Sequence, residues 1–306
     1  MKYFILFIML MPVHFISSQT IASGAYAPES SDVSMFYRES GEGDKVVLMI
    51  HGLGSNSGGF KKMEELISEQ HKTVVIDLPG YGNSEQGSFD PGMENYAALI
   101  IEFVRQRGYK DVVLAGHSMG GQIAMTIAMD PRSQAWLHGL FLIAPAGIET
   151  FTAEEKSWFM QYMTPEMMSM LPDEQIRKNF DINFAAGKLP EDAMFMLKER
   201  MAIKSDPDAY RTYLETVSRN VEAMLSEPVA DKFESIEVPV WVVYGKQDYL
   251  IPNKILHPDM TLEDLKAKCN FPHDESRFMT VDNGGHFLTW DQPEKLALLL
   301  MEFASL

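Results

Sequence analysis

Six short apolar runs punctuate the chain. They are KVVLMIH (Lys45–His51), KTVVIDLPG (Lys72–Gly80), DVVLAG (Asp111–Gly116), GLFLIAPAG (Gly139–Gly147), VPVWVVYG (Val238–Gly245) and SRFMTVDNGG (Ser276–Gly285). Each is continuous rather than alternating, and each ends beside a Gly or Pro. That pattern predicts strands buried on both faces. MFYRES followed by GEGDK reads as a further strand and its turn. Between the runs lie helical patterns. Phe60, Met63 and Ile67 share one face of FKKMEELISEQ, and MENYAALIIEFVRQRG ends on Arg and Gly as a helix C-terminus should. Apolar-periodic sequence also follows Ser118, and PEKLALLLMEFASL closes the chain with Pro at its first turn. Alternating strands and helices predict an α/β fold, a mostly parallel, doubly wound sheet.

One region breaks the alternation. Residues 148–235 contain helical patterns and no clear strand, with 17 acidic against 10 basic side chains. This predicts a helical cap inserted into a core made of residues 34–147 and 236–306. Upstream, residues 19–33 are small and polar and read as a linker. Residues 1–18 place one Lys before an apolar run too short for a membrane span, which needs ~20 residues. They read as a signal peptide or an N-terminal anchor, and the protein is expected to be exported, periplasmic or secreted, with that segment holding it to the membrane in the anchor reading. The formal net charge of −17 argues against nucleic acid or anionic lipid headgroups as partners. Cys269 is the only cysteine, so neither an intrachain disulfide nor a thiolate metal site can form. No metal or cofactor is expected.

The chemistry concentrates at GHSMGG. Gly116 and Gly120 flank Ser118 at the spacing G-x-S-x-G, where a strand turns into a helix. Small residues on either side of such a turn let the backbone close up and leave the serine hydroxyl standing clear. A hydroxyl needs a base, and the base an orienting acid. His286 follows the last apolar run and Asp248 the one before it, giving the order Ser118, Asp248, His286. Backbone amides of Met119, directly after the serine, and Leu53, in HGLGSNS, are the candidate oxyanion donors. His51 is read as a brace for its own loop and Asp77 as a loop-organising acceptor. Trp158, Phe159, Tyr162 and Met163 are candidate substrate-binding residues of the cap.

Taken together and in order, HGLGSNS, DLPGYGNS, GHSMGG, the acid of GKQDYLIP and GGHF resemble the α/β-hydrolase superfamily over Val33 to Leu306. The resemblance implies Ser118 as nucleophile, His286 as base, Asp248 as orienter and a helical cap over the site. Fold alone does not name a substrate. Related dehalogenases and epoxide hydrolases carry Asp where Ser118 stands. Carbon–carbon bond hydrolases place Trp after the catalytic His, where this chain has Phe287. Proline iminopeptidases use acidic cap residues. The preferred expectation is a carboxylesterase-like serine hydrolase acting on a small neutral ester. The alternatives are carbon–carbon or aminoacyl cleavage, or a receptor-like binding module. Protein from its native host is expected to lack the first ~18–22 residues, as a cleaved leader requires. Intact-mass measurement checks this; a membrane-bound species retaining Met1 would identify an anchor.

Overall fold

The computed structural model describes residues 22–28 and 32–306. The expected leader over 1–18 lies outside the described residues. Eight strands form one sheet: β1 (Ala22–Tyr26), β2 (Met35–Ser40), β3 (Lys45–Ile50), β4 (Lys72–Ile76), β5 (Asp111–His117), β6 (Leu137–Ile143), β7 (Val240–Gly245) and β8 (Arg277–Val281). Their order is β1-β2-β4-β3-β5-β6-β7-β8. The strands β3 to β8 are mutually parallel, and β1 and β2 add an antiparallel edge. Val46–Ile50, Val112–Ala115, Leu140–Ile143 and Val240–Tyr244 are buried throughout, which is why their runs carry no alternation.

Part of the expected linker is structured. Ala22–Tyr26 forms β1, in register with Glu39 to Met35 of β2. Its small side chains hid it from pattern reading. Tyr26 anchors it, buried edge-on against Phe103 at 5.3 Å.

The helices of the sheet domain are α1 (Lys61–Ile67), α2 (Met93–Arg107) and α3 (Met119–Met129). The helices between β6 and β7 are α4 (Ala153–Tyr162), α5 (Pro165–Ser169), α6 (Asp173–Asp181), α7 (Met194–Lys204) and α8 (Pro207–Ser226). After β7 come α9 (Leu262–Lys268), α10 (Leu288–Asp291) and α11 (Pro293–Ala304). No helix among the described residues is long and apolar enough to cross a membrane.

Strand order reverses between β3 and β5: β3 leads outward to β4 on one side, and the chain returns to build β5 to β8 on the other. At such a switch point the loops after the strands diverge and leave a crevice at their carboxyl ends. Leu53 follows β3 and Ser118 follows β5, so both belong to this crevice.

Close packing beneath it leaves no room for side chains. A Cβ on Gly120 would stand 2.1 Å from the Ile50 carbonyl oxygen, and one on Gly116 would stand 2.4 Å from that of Gly120. Gly120→Ala is therefore expected to cost more than about 3 kcal/mol, because backbone on both sides must move. Gly108→Ala meets nothing within 4 Å but sits at φ +71°. It should cost only about 1–2 kcal/mol, the penalty of a left-handed Ala. Urea denaturation of the two variants checks the contrast.

Candidate active site

Ser118 occupies the turn from β5 into α3 with φ 53° and ψ −118°, a conformation that non-glycine residues rarely adopt. Such a backbone costs about 1–3 kcal/mol and persists only where its surroundings impose it. Here they do. The Ser118 amide donates to the Ile143 carbonyl at 3.0 Å, and the Ser118 carbonyl accepts from Gly121 (2.9 Å) and Ala146 (3.0 Å). Backbone bonds to β6, its following loop and the first turn of α3 thus fix the residue without engaging its hydroxyl.

His286 and Asp248 come together from loops after β8 and β7. His286 Nδ1 lies 3.0 Å from Asp248 Oδ2, and both residues are buried. The other carboxylate oxygen, Oδ1, accepts from the amides of Leu250 (2.8 Å) and Ile251 (3.0 Å). Asp248 is thereby oriented with one oxygen left for the imidazole. The two loops close on each other through glycine: a Cβ on Gly245 would meet the Gly284 carbonyl oxygen at 2.1 Å. This contact between distant segments becomes visible only in three dimensions.

Two further histidines support the site as neutral rings. His51 Nε2 accepts from the Leu78 amide at 3.0 Å and its Nδ1 faces the Gly52 carbonyl at 2.8 Å, so Nδ1 carries the proton. The ring joins the loop after β3 to the loop after β4. Burial pushes its pKa down. His117 Nε2 donates to the His286 carbonyl at 2.9 Å, and burial, with the nearby His286 as a second cause, lowers its pKa to about 3. Asp77 is wholly buried and its carboxylate accepts from the amides of Ser57 (2.7 Å) and Asn83 (2.9 Å). It organises the loops that flank the crevice.

Gly52 brings the β3 loop against the Ser118 turn: its Cβ would stand 2.9 Å from Ser118 Cβ. The next amide is that of Leu53, while Met119 opens α3 directly after Ser118. Neither amide donates to a backbone acceptor among the described residues.

A cavity of about 740 Å³ lies between the 153–226 helices and the loops after β3 and β4. Its wall reaches the site at Leu53, in the loop after β3, and at Phe287, next to His286. Of the four cap residues expected from sequence, Tyr162 and Met163 line it. Trp158 and Phe159 do not. Phe159 packs edge-on against Phe151 at 5.2 Å and against Trp158 at 5.6 Å, so these rings brace the start of the cap. Sequence reasoning missed Tyr81, Arg200 and Tyr213 on the wall. They lie on three separate segments with no shared motif. Among the described residues no group of His, Cys, Asp and Glu is placed to hold a metal ion. Burial pushes the Cys269 thiol up to about 12, which leaves it protonated and poorly nucleophilic.

The chain matches the α/β hydrolase family over residues 47–297 and belongs to it. It is an α/β-hydrolase enzyme. It is similar to a pimeloyl-[acyl-carrier protein] methyl ester esterase of Photorhabdus laumondii, 25% identical over 280 residues covering 89% of this chain and 96% of that protein. It is also similar to a monoacylglycerol lipase of Homo sapiens, 23% identical over 270 residues, 84% of this chain and 74% of that one. Among solved structures, an esterase from Thermogutta terrifontis superposes with a TM-score of 0.70 at 20% identity, covering 93% of this chain and 98% of that one.

The low pKa of His117 makes a stability prediction. Its folded pKa of about 3 lies below the ordinary value of 6.5, so the unfolded chain binds the extra proton between those limits. Its contribution is complete above pH 6.5 and is lost as pH falls toward 3, at a rate approaching 1.4 kcal/mol per pH unit. Urea midpoints measured from pH 7 to pH 4 should fall, and less steeply in His117→Asn.

Proposed function

We propose that the protein is a serine hydrolase of carboxylic esters, with Ser118 as nucleophile, His286 as general base and Asp248 as its orienter. The carrying observation is the His286–Asp248 pair, buried and bonded at 3.0 Å, in a sheet whose β5 ends on a strained serine turn. Ester hydrolysis is shared by relatives of this chain, and the intact nucleophile, base and acid favour turnover over a binding role.

The chemistry follows from the groups. Ser118 Oγ attacks the acyl carbon while His286 Nε2 takes the hydroxyl proton. Asp248 holds Nδ1–H and stabilises the imidazolium. The Leu53 and Met119 amides receive the charge that develops on the carbonyl oxygen. Collapse breaks the bond to the alcohol, which leaves with the proton returned by His286. Water then enters by the same route, and the acid is released with Ser118 restored.

The Met- and aromatic-lined part of the cavity supports an apolar contact surface for the acyl chain. Tyr162, Met163 and Met168 are flexible or amphipathic side chains that fit more than one chain length.

Ser118→Ala is expected to leave the fold intact and lower ester hydrolysis by ~10⁴-fold or more, the usual scale for losing a triad member. The same substitution should abolish labelling by a fluorophosphonate. Hydrolysis that persists above about 1% would remove Ser118 from the role. A series of p-nitrophenyl esters gives a second check: kcat/KM should rise a few-fold per added carbon until the cavity fills, since each buried methylene contributes up to ~0.8 kcal/mol. A flat series would count against an apolar acyl surface.

A further inference from the structure

The cap cavity contains a cation without a counterion. Arg200, on α7, is half-buried and lines the cavity, yet makes no ion pair with any carboxylate among the described residues. The chain carries a net charge of −17, and several of its arginines are neutralised: Arg38 pairs with Glu64, Arg107 with Glu39 and Arg219 with Asp90.

Its guanidinium is held in place by other means. The Cζ atom stands 4.3 Å from the centre of the Tyr213 ring and 5.7 Å from that of Phe180. One N–H, on Nη2, donates to the Gly54 carbonyl at 3.0 Å. The four remaining donors of the fork take no protein acceptor among the described residues. Beside it the Tyr213 hydroxyl is buried and also without a hydrogen-bond partner. The two polar groups converge on Gly54: a Cβ there would stand 2.9 Å from Arg200 Nη2 and 2.9 Å from Tyr213 Oη. Gly54 directly follows Leu53, the candidate oxyanion donor.

A planar, pre-oriented guanidinium with free donors is suited to a carboxylate, which can accept two parallel N–H bonds. Glu199 also lines the cavity, but its carboxylate is exposed to solvent and accepts from Asn56 Nδ2 at 2.9 Å. Its charge is screened by water more than that of the half-buried arginine.

We propose that Arg200, on its platform of Tyr213 and Phe180, is a carboxylate-receiving subsite, and that the preferred esters carry a free carboxylate a few bonds from the scissile group. The inference rests on the ester-hydrolase reading and narrows it. It also reverses the expectation of neutral substrates, which followed from the net charge of the cap rather than from the charge facing the cavity.

The carboxylate could sit on the acid or the alcohol side of the ester, and two probes separate these. Monomethyl glutarate carries it on the acid side and O-pentanoyl glycolate on the alcohol side; methyl pentanoate is the neutral reference. At pH 8, one of the charged esters should exceed the reference in kcat/KM by about 10-fold or more, the scale of a charge-assisted bond. That preference ratio should collapse in Arg200→Met and recover in part in Arg200→Lys. A wild-type enzyme that favours methyl pentanoate over both charged esters overturns the subsite. So does a ratio unchanged in Arg200→Met, because it would leave Arg200 only as a clamp on the Gly54 loop. A binding measurement stands apart from turnover: glutarate should raise the Tm of Ser118→Ala and should fail to do so in Ser118→Ala/Arg200→Met. Loss of all ester turnover and of fluorophosphonate labelling in the wild type would instead reject the hydrolase reading, while the Tm shift still decides the subsite.

Discussion

The close crossing of backbones at the end of β3 and the start of α3 is the constraint on which the site depends. Gly120 lies where a side chain would strike the Ile50 and His51 carbonyls, and Gly52 lies where one would strike Ser118 Cβ. Only hydrogen atoms fit between these segments. That proximity brings the β3 loop, with Leu53, alongside the Ser118 turn. This approach cannot be relaxed locally, because β3 and β5 are paired from Lys45↔Asp111 to Ile50↔Gly116. The Ser118 backbone is held in its rare conformation by bonds to the Ile143 carbonyl and the first turn of α3 rather than by the turn alone.

The cap is tied to the same loops. Phe287, next to His286, donates its amide to the Asn183 carbonyl at 2.9 Å. Asp291 Oδ2 accepts from both Gly285 (2.8 Å) and Ala185 (2.9 Å), one amide on each side of the junction. Arg200 and Glu199 reach the β3 loop at Gly54 and Asn56. On the far side His257 bridges Glu149 and Glu155, joining the loop beyond Asp248 to the first helix of the cap. The cap thus touches the segments that carry Leu53, Asp248 and His286. Its position and the geometry of those segments are coupled through hydrogen bonds that become stronger where water is excluded.

Much of this was legible in the residues. The unbroken apolar runs marked the buried strands because a strand covered on both faces has no polar side to show. Ser118, Asp248 and His286 stood out as candidates because each sits where a strand ends, and the structure brings two of them, Asp248 and His286, into a buried hydrogen bond. What escaped reading did so for definite reasons. β1 is an edge strand of small residues, whose stability comes from pairing with β2 and from one buried tyrosine. Trp158 and Phe159 were candidates by composition, but Phe159 packs against Phe151, and Trp158 packs against Phe159 and Tyr162.

The sequence by itself determined the alternation of strands and helices and the helical stretch that interrupts it, and it offered Ser118, Asp248 and His286 as candidates, because periodicity and local spacing are properties of the chain. Tertiary structure alone decided which groups face one another across it. The bond from His117 to the His286 carbonyl spans 169 residues, and the bond from Arg200 to Gly54 spans 146. No local pattern encodes such pairings. They exist because the parallel sheet gathers the ends of distant strands at one edge and the cap closes over them, leaving the charge that lines the cavity to be set by which face of α7 is turned inward.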